Sequence, residues 1–206
     1  MPLIALTFDD GPNTSITPLV LEKLEKYGVP GTFFLIGENI TEESIEISKE
    51  AFRKGHEIEN HSFTHPYMNT LSVEEIRSEV SKTEDILIKI TGQPSVFFRP
   101  PYIEVNDDMH ENIDLCFICG RGCEDWELSV PADVRAERTL ENACDGAIIL
   151  LHDMEENYAT VEALDTIIPE LKKRGYEFVT LKELFKAKGV DPKDMSIVRN
   201  KIYSEV

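Results

Sequence analysis

Two aspartates stand side by side in TFDDGP, residues 7–12, directly after the apolar run Leu3-Ile4-Ala5-Leu6. Adjacent like charges repel, and neither is stable in an apolar setting without a partner. Asp, Gly and Pro favour turns, so one reading of Asp9-Asp10-Gly11-Pro12 is a plain chain reversal. The other reading is chemical, because α/β folds present their reactive groups where a core strand emerges. On that reading a cation must wait elsewhere in the chain.

The histidines supply candidates. His61 and His65 form HSFTH, directly after HEIEN (56–60). In a helical turn such an i, i+4 pair shares one face, with β-carbons about 5–6 Å apart. Two imidazoles so placed reach one ion. With one of the two aspartates they make a three-ligand set for zinc or a similar divalent metal, leaving a position for water. The other aspartate is then a free carboxylate beside that water, a natural general base. Arg99, which ends VFFR before Pro100-Pro101-Tyr102, is its candidate partner, since a guanidinium forks onto a carboxylate. His152 follows AIILL; taken alone it reads first as a structural histidine, with a general acid at the strand end as the alternative. Asp125 offers a carboxylate to hold that imidazole, and Trp126, the single tryptophan, an indole to wall an apolar pocket.

Short apolar runs alternate with longer amphipathic ones. Strands are expected at 3–8, 31–37, 56–60, 96–99, 115–119, 147–151 and 176–180. Helices are expected at 17–27, 41–54, 72–92, 132–143 and 158–174, with a last one at LKELFKAK. Ser72 and Glu75 have capping-box spacing. This alternation implies a parallel sheet with helices outside, barrel-like with about seven units, whose active site lies at the carboxyl ends of the strands. No repeat or linker divides the 206 residues, so a single domain over 1–206 is expected.

The net charge of −18, from 21 basic and 39 acidic residues, disfavours nucleic acid and anionic membrane as partners. A neutral sugar or polysaccharide suits it better. CFICGRGC, with Cys144, tempts a zinc reading, but no second knuckle completes it. Buried free thiols are the leading reading, a disulfide or metal role the alternative. No apolar run approaches a membrane span. MPLIALTFDD lacks signal-peptide character, leaving a cytoplasmic protein or one exported by a segment outside these residues.

TFDDGP, HSFTH, RPPY, EDW and LLHD, in this order between residues 7 and 153, resemble the motifs of the polysaccharide deacetylases, the NodB-homology proteins of carbohydrate esterase family 4. DTIIPELKKRGYEFVTLKELF is similar to the family's closing helix–strand–helix. The resemblance implies an α/β fold, a distorted (β/α) barrel of about seven repeats with strands inside and helices outside, and a metal-dependent deacetylase. It implies Asp9 as catalytic base, Asp10, His61 and His65 as metal ligands, and Arg99 as the residue orienting the base. It further implies the Tyr102 N–H as oxyanion donor, His152 as general acid tuned by Asp125 beside Trp126, and Leu150 as lining of the acetyl-methyl pocket. Tyr102 and Trp126 are also implied substrate contacts. Zinc is the implied metal, with cobalt as alternative. Two departures, Ile103 in place of a glycine and Gly122 in place of an aspartate, look like the acetylxylan-esterase branch. A monomer acting on acetylxylan, secreted or at the cell surface within a longer precursor, is the resulting expectation; N-deacetylation of N-acetylglucosamine polymers is the alternative, and a silent carbohydrate-binding protein a remote one.

Overall fold

Strand β1 (Leu3–Asp9) is buried along its length apart from its first residue, the environment of a central parallel strand covered on both faces. In the computed structural model, which describes residues 1–193 and 198–202, β1 lies between β2 (Thr32–Leu35) and β7 (Ala147–His152). The sheet is completed by β3 (Glu57–Asn60), β4 (Phe97–Phe98), β5 (Cys116–Phe117), β6 (Arg121–Gly122) and β8 (Glu177–Phe178). The strands run parallel in the order β5-β4-β3-β2-β1-β7-β6, with β8 on the start of β1. The sheet curls into a half-barrel consistent with a distorted (β/α) barrel. The chain itself crosses between the edges through Ile118-Cys119-Gly120. Bridges from Arg199 to Ile118 and from Lys201 to Ala147 help fill the gap.

Around the sheet run α1 (Thr17–Tyr27), α2 (Ile45–Arg53), α3 (Val73–Thr91), α4 (Asp107–Asn112), α5 (Ala132–Asn142) and α6 (Tyr158–Lys173). The Ser72–Glu75 capping box opens α3 as its spacing requires. Helix α7 (Leu181–Lys188) instead plugs the barrel: Leu181, Leu184 and Phe185 join Ala5, Phe34, Phe97 and Ile148 in one cluster. The Leu181 N–H donates to Thr32 Oγ1, which places the plug at the amino ends of the strands.

Alternation along the strands then locates the chemistry. Ile4, Leu6 and Phe8 face the outer helices, packing with Val20, Leu24 and Leu164. Ala5 faces the interior, so two steps of the same row reach Asp9. Phe97 leads inward to Arg99, Ile148 to Leu150 and His152, and Glu57 and Glu59 to His61. The carboxyl-end layer of the interior is therefore ionisable where the layer beneath is apolar. Glu57 and Glu59 are the exception below it; Lys182 of α7 answers them at 3.5 and 3.0 Å. Burial and the neighbouring Glu57 hold the Glu59 carboxyl well above the usual range.

Several elements are shorter than the apolar runs suggest. Residues 31–37 keep only Thr32–Leu35 as strand, 96–99 only Phe97–Phe98, and 176–180 only Glu177–Phe178. The expected strand 115–119 keeps Cys116–Phe117, and the separate β6 follows at the opposite edge. The helix expected at 41–54 begins at Ile45, because a 3-10 turn (Gly37–Asn39) and a loop precede it. Helix α4 has too few apolar residues to show a period. Cys119, Cys123 and Cys144 are free thiols; Cys116 and Cys123 are buried, whereas Cys119 and Cys144 are only half-buried.

Candidate active site

Asp9 ends β1 in register with His152 of β7, which puts a carboxylate and an imidazole side by side across one ladder. Asp10 then takes a left-handed φ of 74°, turning its side chain back over the barrel mouth. Gly11 is needed next: a Cβ there would stand 2.5 Å from Asp153 Oδ2. Asp153 is buried and accepts from Thr17 Oγ1 at 2.5 Å. Asn13 ties the turn down, accepting from Ile16 N (2.6 Å) and donating to the Asp153 carbonyl (2.5 Å).

His61 and His65 meet, but not on a helical turn. HSFTH is a loop in which Ser62 (φ 66°) and His65 (φ 55°) are left-handed. Glu79 of α3 accepts from the N–H groups of Phe63 (2.9 Å) and Thr64 (2.7 Å), and Ser62 Oγ from His65 N (3.1 Å). The ring centroids end 4.8 Å apart. Asp10 Oδ1 lies 3.4 Å from His61 Nε2 and 3.5 Å from His65 Nε2, buried and without a hydrogen-bond partner. His61 Nδ1 sits 2.6 Å from the Arg99 carbonyl, which as acceptor fixes the proton there and leaves Nε2 free. One oxygen and two nitrogens lie within 4.8 Å of one another, a donor set that fits a divalent transition metal. Among the described residues no cysteine joins such a cluster.

Burial works against the charged Asp10, yet the His61 ring beside it lowers its carboxyl to about 2. For His61 burial disfavours the cation, but Asp9 and Asp10 outweigh it and raise its pKa. Burial and the neighbouring His61 lower that of His65.

Arg99, fully buried, donates from Nη1 to Asp9 Oδ1 at 2.6 Å and from Nη2 to the Cys119 carbonyl, its guanidinium lying 4.2 Å over the Phe34 ring. Asp125 holds His152 at both ends, accepting from its backbone N–H (2.7 Å) and sitting 2.8 Å from Nδ1. Burial pushes His152 down, but Asp125, with Asp9 and Asp10, raises it to about 9. Trp126 packs edge-on to His152 at 5.8 Å. A Cβ on Gly122 would stand 3.3 Å from the indole, a tight contact met only by a small shift of the ring. Asp9, Asp10, His61, His65, Tyr102, Ile103, Trp126, Leu150 and His152 line one cleft of about 340 Å³. The ten residues singled out in the sequence thus converge on one end of the barrel; Arg99 and Asp125 lie behind the cleft wall.

Supporting residues escaped the sequence. Thr160 Oγ1 donates to Asp125 Oδ2 at 2.9 Å, and Asn157 Nδ2 to the His152 carbonyl at 2.8 Å. Both sit at the start of α6, where polar residues read as ordinary helix-start composition. Tyr67 stacks on Tyr102 with centroids 4.0 Å apart, and nothing in its sequence context marks it.

The sequence profile of the family described as polysaccharide deacetylase matches residues 1–116. A bifunctional xylanase/deacetylase of Pseudobutyrivibrio xylanivorans is 48% identical over 99% of this chain and 33% of its own length. A peptidoglycan-N-acetylglucosamine deacetylase of Listeria monocytogenes is 38% identical over 88% of this chain and 38% of its own. The chain thus spans about a third of the length of these curated relatives. Among solved structures, a family 4 acetyl xylan esterase of Clostridium thermocellum, in complex with a cobalt ion, superposes with a TM-score of 0.94 at 42% identity, covering 97% of this chain and 98% of that one.

Proposed function

Because the chain belongs to the polysaccharide deacetylase family, carbohydrate esterase family 4, we propose that it is a metal-dependent deacetylase that removes O-acetyl groups from acetylxylan. The observation that carries the reading is the buried, unpartnered Asp10 Oδ1 facing two imidazole nitrogens beside an Arg99-held Asp9. Asp10, His61 and His65 hold the divalent cation, zinc first and cobalt as the alternative. When bound, it supplies Lewis acidity, polarising an acyl carbonyl and acidifying a water.

The chain's own groups do the rest. Asp9, its second oxygen 3.8 Å from His61 Nε2, accepts the proton of the attacking water. Arg99 fixes the direction of that carboxylate. The Tyr102 N–H donates to the oxyanion of the tetrahedral intermediate; one such donor is typically worth about 2.7–4 kcal/mol. His152, kept cationic by Asp125, gives a proton from Nε2 to the leaving oxygen. Leu150 and Trp126 wall the acyl end of the cleft.

The xylan preference draws support from the relatives named for xylanase/deacetylase and acetyl xylan esterase activity. De-N-acetylation of N-acetylglucosamine polymers is the second reading, favoured by the protonated His152, since an amine leaves only with a proton. The domain acts as a monomer outside the cell, where its polymer is found. Acetate release from acetylxylan and from chitooligosaccharides, with and without chelator, tests both. Chelator-sensitive release from acetylxylan supports the proposal; release only from chitooligosaccharides moves it to the second reading. No release from either, with metal present, refutes both.

A further inference from the structure

Tyr102 and Ile103 follow Arg99-Pro100-Pro101 with φ of 58° each. Two successive left-handed residues are costly for side chains with a Cβ, and a β-branched isoleucine there is a genuine outlier. Such strain persists only where the surroundings over-determine it. Backbone bonds help: Ile103 N donates to the Pro100 carbonyl (3.0 Å) and Glu104 N to that of Pro101 (3.3 Å). The further constraint comes from the loop after His65.

Tyr67 stacks on Tyr102 at 4.0 Å with the planes 12° apart. The Tyr102 ring in turn meets the His65 ring at 4.7 Å. Behind the stack, Asn69 Nδ2 lies 3.5 Å from Glu104 Oε2, and Asn106 Nδ2 donates to the Asn69 carbonyl at 3.1 Å. Met68, fully buried, anchors the Tyr67 loop in a core with Met109 and Phe117. The loop bearing His65 and the loop bearing Tyr102 are thus zipped side by side, with the His65–Tyr102 contact in the cleft wall and Tyr67 stacked on Tyr102 just outside it. Yet Tyr67 itself is 54% exposed, so core packing gives no account of it.

We propose that Tyr67 is a positioning residue: its ring clamps Tyr102 against His65 and holds the strained 102–103 turn in the conformation that aims the Tyr102 N–H into the cleft. The proposal rests on the reading of that N–H as oxyanion donor. The clamp needs an aromatic face and not a hydroxyl, so phenylalanine replaces tyrosine without loss. Glycine adopts φ near +58° without steric cost, so it relieves the strain the clamp opposes.

The test compares wild type, Tyr67→Phe, Tyr67→Ala and Tyr67→Ala/Ile103→Gly on acetylxylan and on an aryl acetate that carries no sugar, with melting curves as a folding control. Expected is a tenfold or greater fall in kcat for Tyr67→Ala on both substrates with KM little changed, retention by Tyr67→Phe, and partial recovery in the double variant. The Tyr102 amide resonance, followed by NMR in the metal-free protein, shifts in Tyr67→Ala and returns in Tyr67→Phe. A rise in KM on acetylxylan alone, with the aryl acetate and the amide resonance unmoved, makes Tyr67 a sugar-stacking surface and overturns the proposal. An amide shift without loss of kcat overturns it too. If wild type cleaves the aryl acetate but no acetylated glycan, the substrate assignment fails while the clamp is still judged on the aryl acetate and the resonance.

Discussion

Arg99 Nη1 and Asp9 Oδ1 meet at 2.6 Å, with neither side chain open to solvent. Such a pair is weak evidence for stability in itself, but breaking it from one side strands a buried charge. Arg99→Ala should therefore lose about 3–5 kcal/mol of folding stability as well as turnover. Asp9→Asn should lose less stability, because Arg99 keeps the Cys119 carbonyl and the Phe34 ring face. The double variant should regain part of the Arg99→Ala loss. Urea unfolding of the three proteins checks this, and an Arg99→Ala loss below about 1 kcal/mol would place the pair with ordinary surface bridges.

His152 gives a pH dependence whose sign follows from its raised pKa. Its folded value, about 9, lies above the ordinary 6.5, with Asp125 the principal raising partner and burial opposing. A raised value stabilises the fold fully below the unfolded pKa, and that contribution is lost as pH rises through about 9. The acid form should persist to the same point, so turnover should decline on the alkaline side. NMR titration of the His152 ring in the metal-free protein should give a midpoint well above that of an exposed histidine, and Asp125→Asn should move it down. An unmoved midpoint would detach Asp125 from the acid.

Much of this was legible because strands are periodic. Asp9, Arg99 and His152 each stand two residues beyond an interior position, so an apolar run predicts where an unusual residue at its end must point. The carboxylate pair and the histidines were visible as residue types out of place. The route by which His61 and His65 meet was not: the spacing suggested a helical turn, whereas left-handed Ser62 and His65 and the reach of Glu79 from α3 build a loop. Positive φ at non-glycine residues leaves no compositional mark. Nor do strand ends: two-residue strands such as β4 and β6 are set by which neighbour they pair with, a long-range fact.

The histidine pair should make cation binding depend on pH. His61 has its pKa raised by Asp9 and Asp10 against the effect of burial, while His65 is lowered by burial. A proton on His61 Nε2 competes with a metal, so zinc affinity should weaken as pH falls through the His61 pKa and level off above it. His65 should contribute no competition in that range. Calorimetry in buffers of different ionisation enthalpy should show protons released on binding at the low end. Asp10→Ala and His65→Ala should each abolish binding while the proteins stay folded. Chelation should stop turnover, and zinc or cobalt should restore it. A chelator-insensitive enzyme would contradict the three-residue cage.

Leu150 should set acyl size. Its side chain lines the cleft, and the chain crossing between the sheet edges passes directly over it: a Cβ on Gly120 would stand 2.5 Å from Leu150 Cβ and 3.3 Å from Arg99 Nη2. Leu150→Ala removes the wall and should raise propionyl-ester cleavage relative to acetyl by about 10-fold or more, the discrimination one methylene commands in an apolar pocket. It should also cost about 2–5 kcal/mol of stability, toward the lower end because the site borders solvent. Gly120→Ala acts from the other side, driving Leu150 into the cleft and disturbing Arg99. It should lower kcat/KM for both esters without improving the propionyl-to-acetyl ratio. Parallel assays on acetyl and propionyl esters of one sugar decide the matter: an unchanged ratio in Leu150→Ala would move the acyl pocket elsewhere in the cleft.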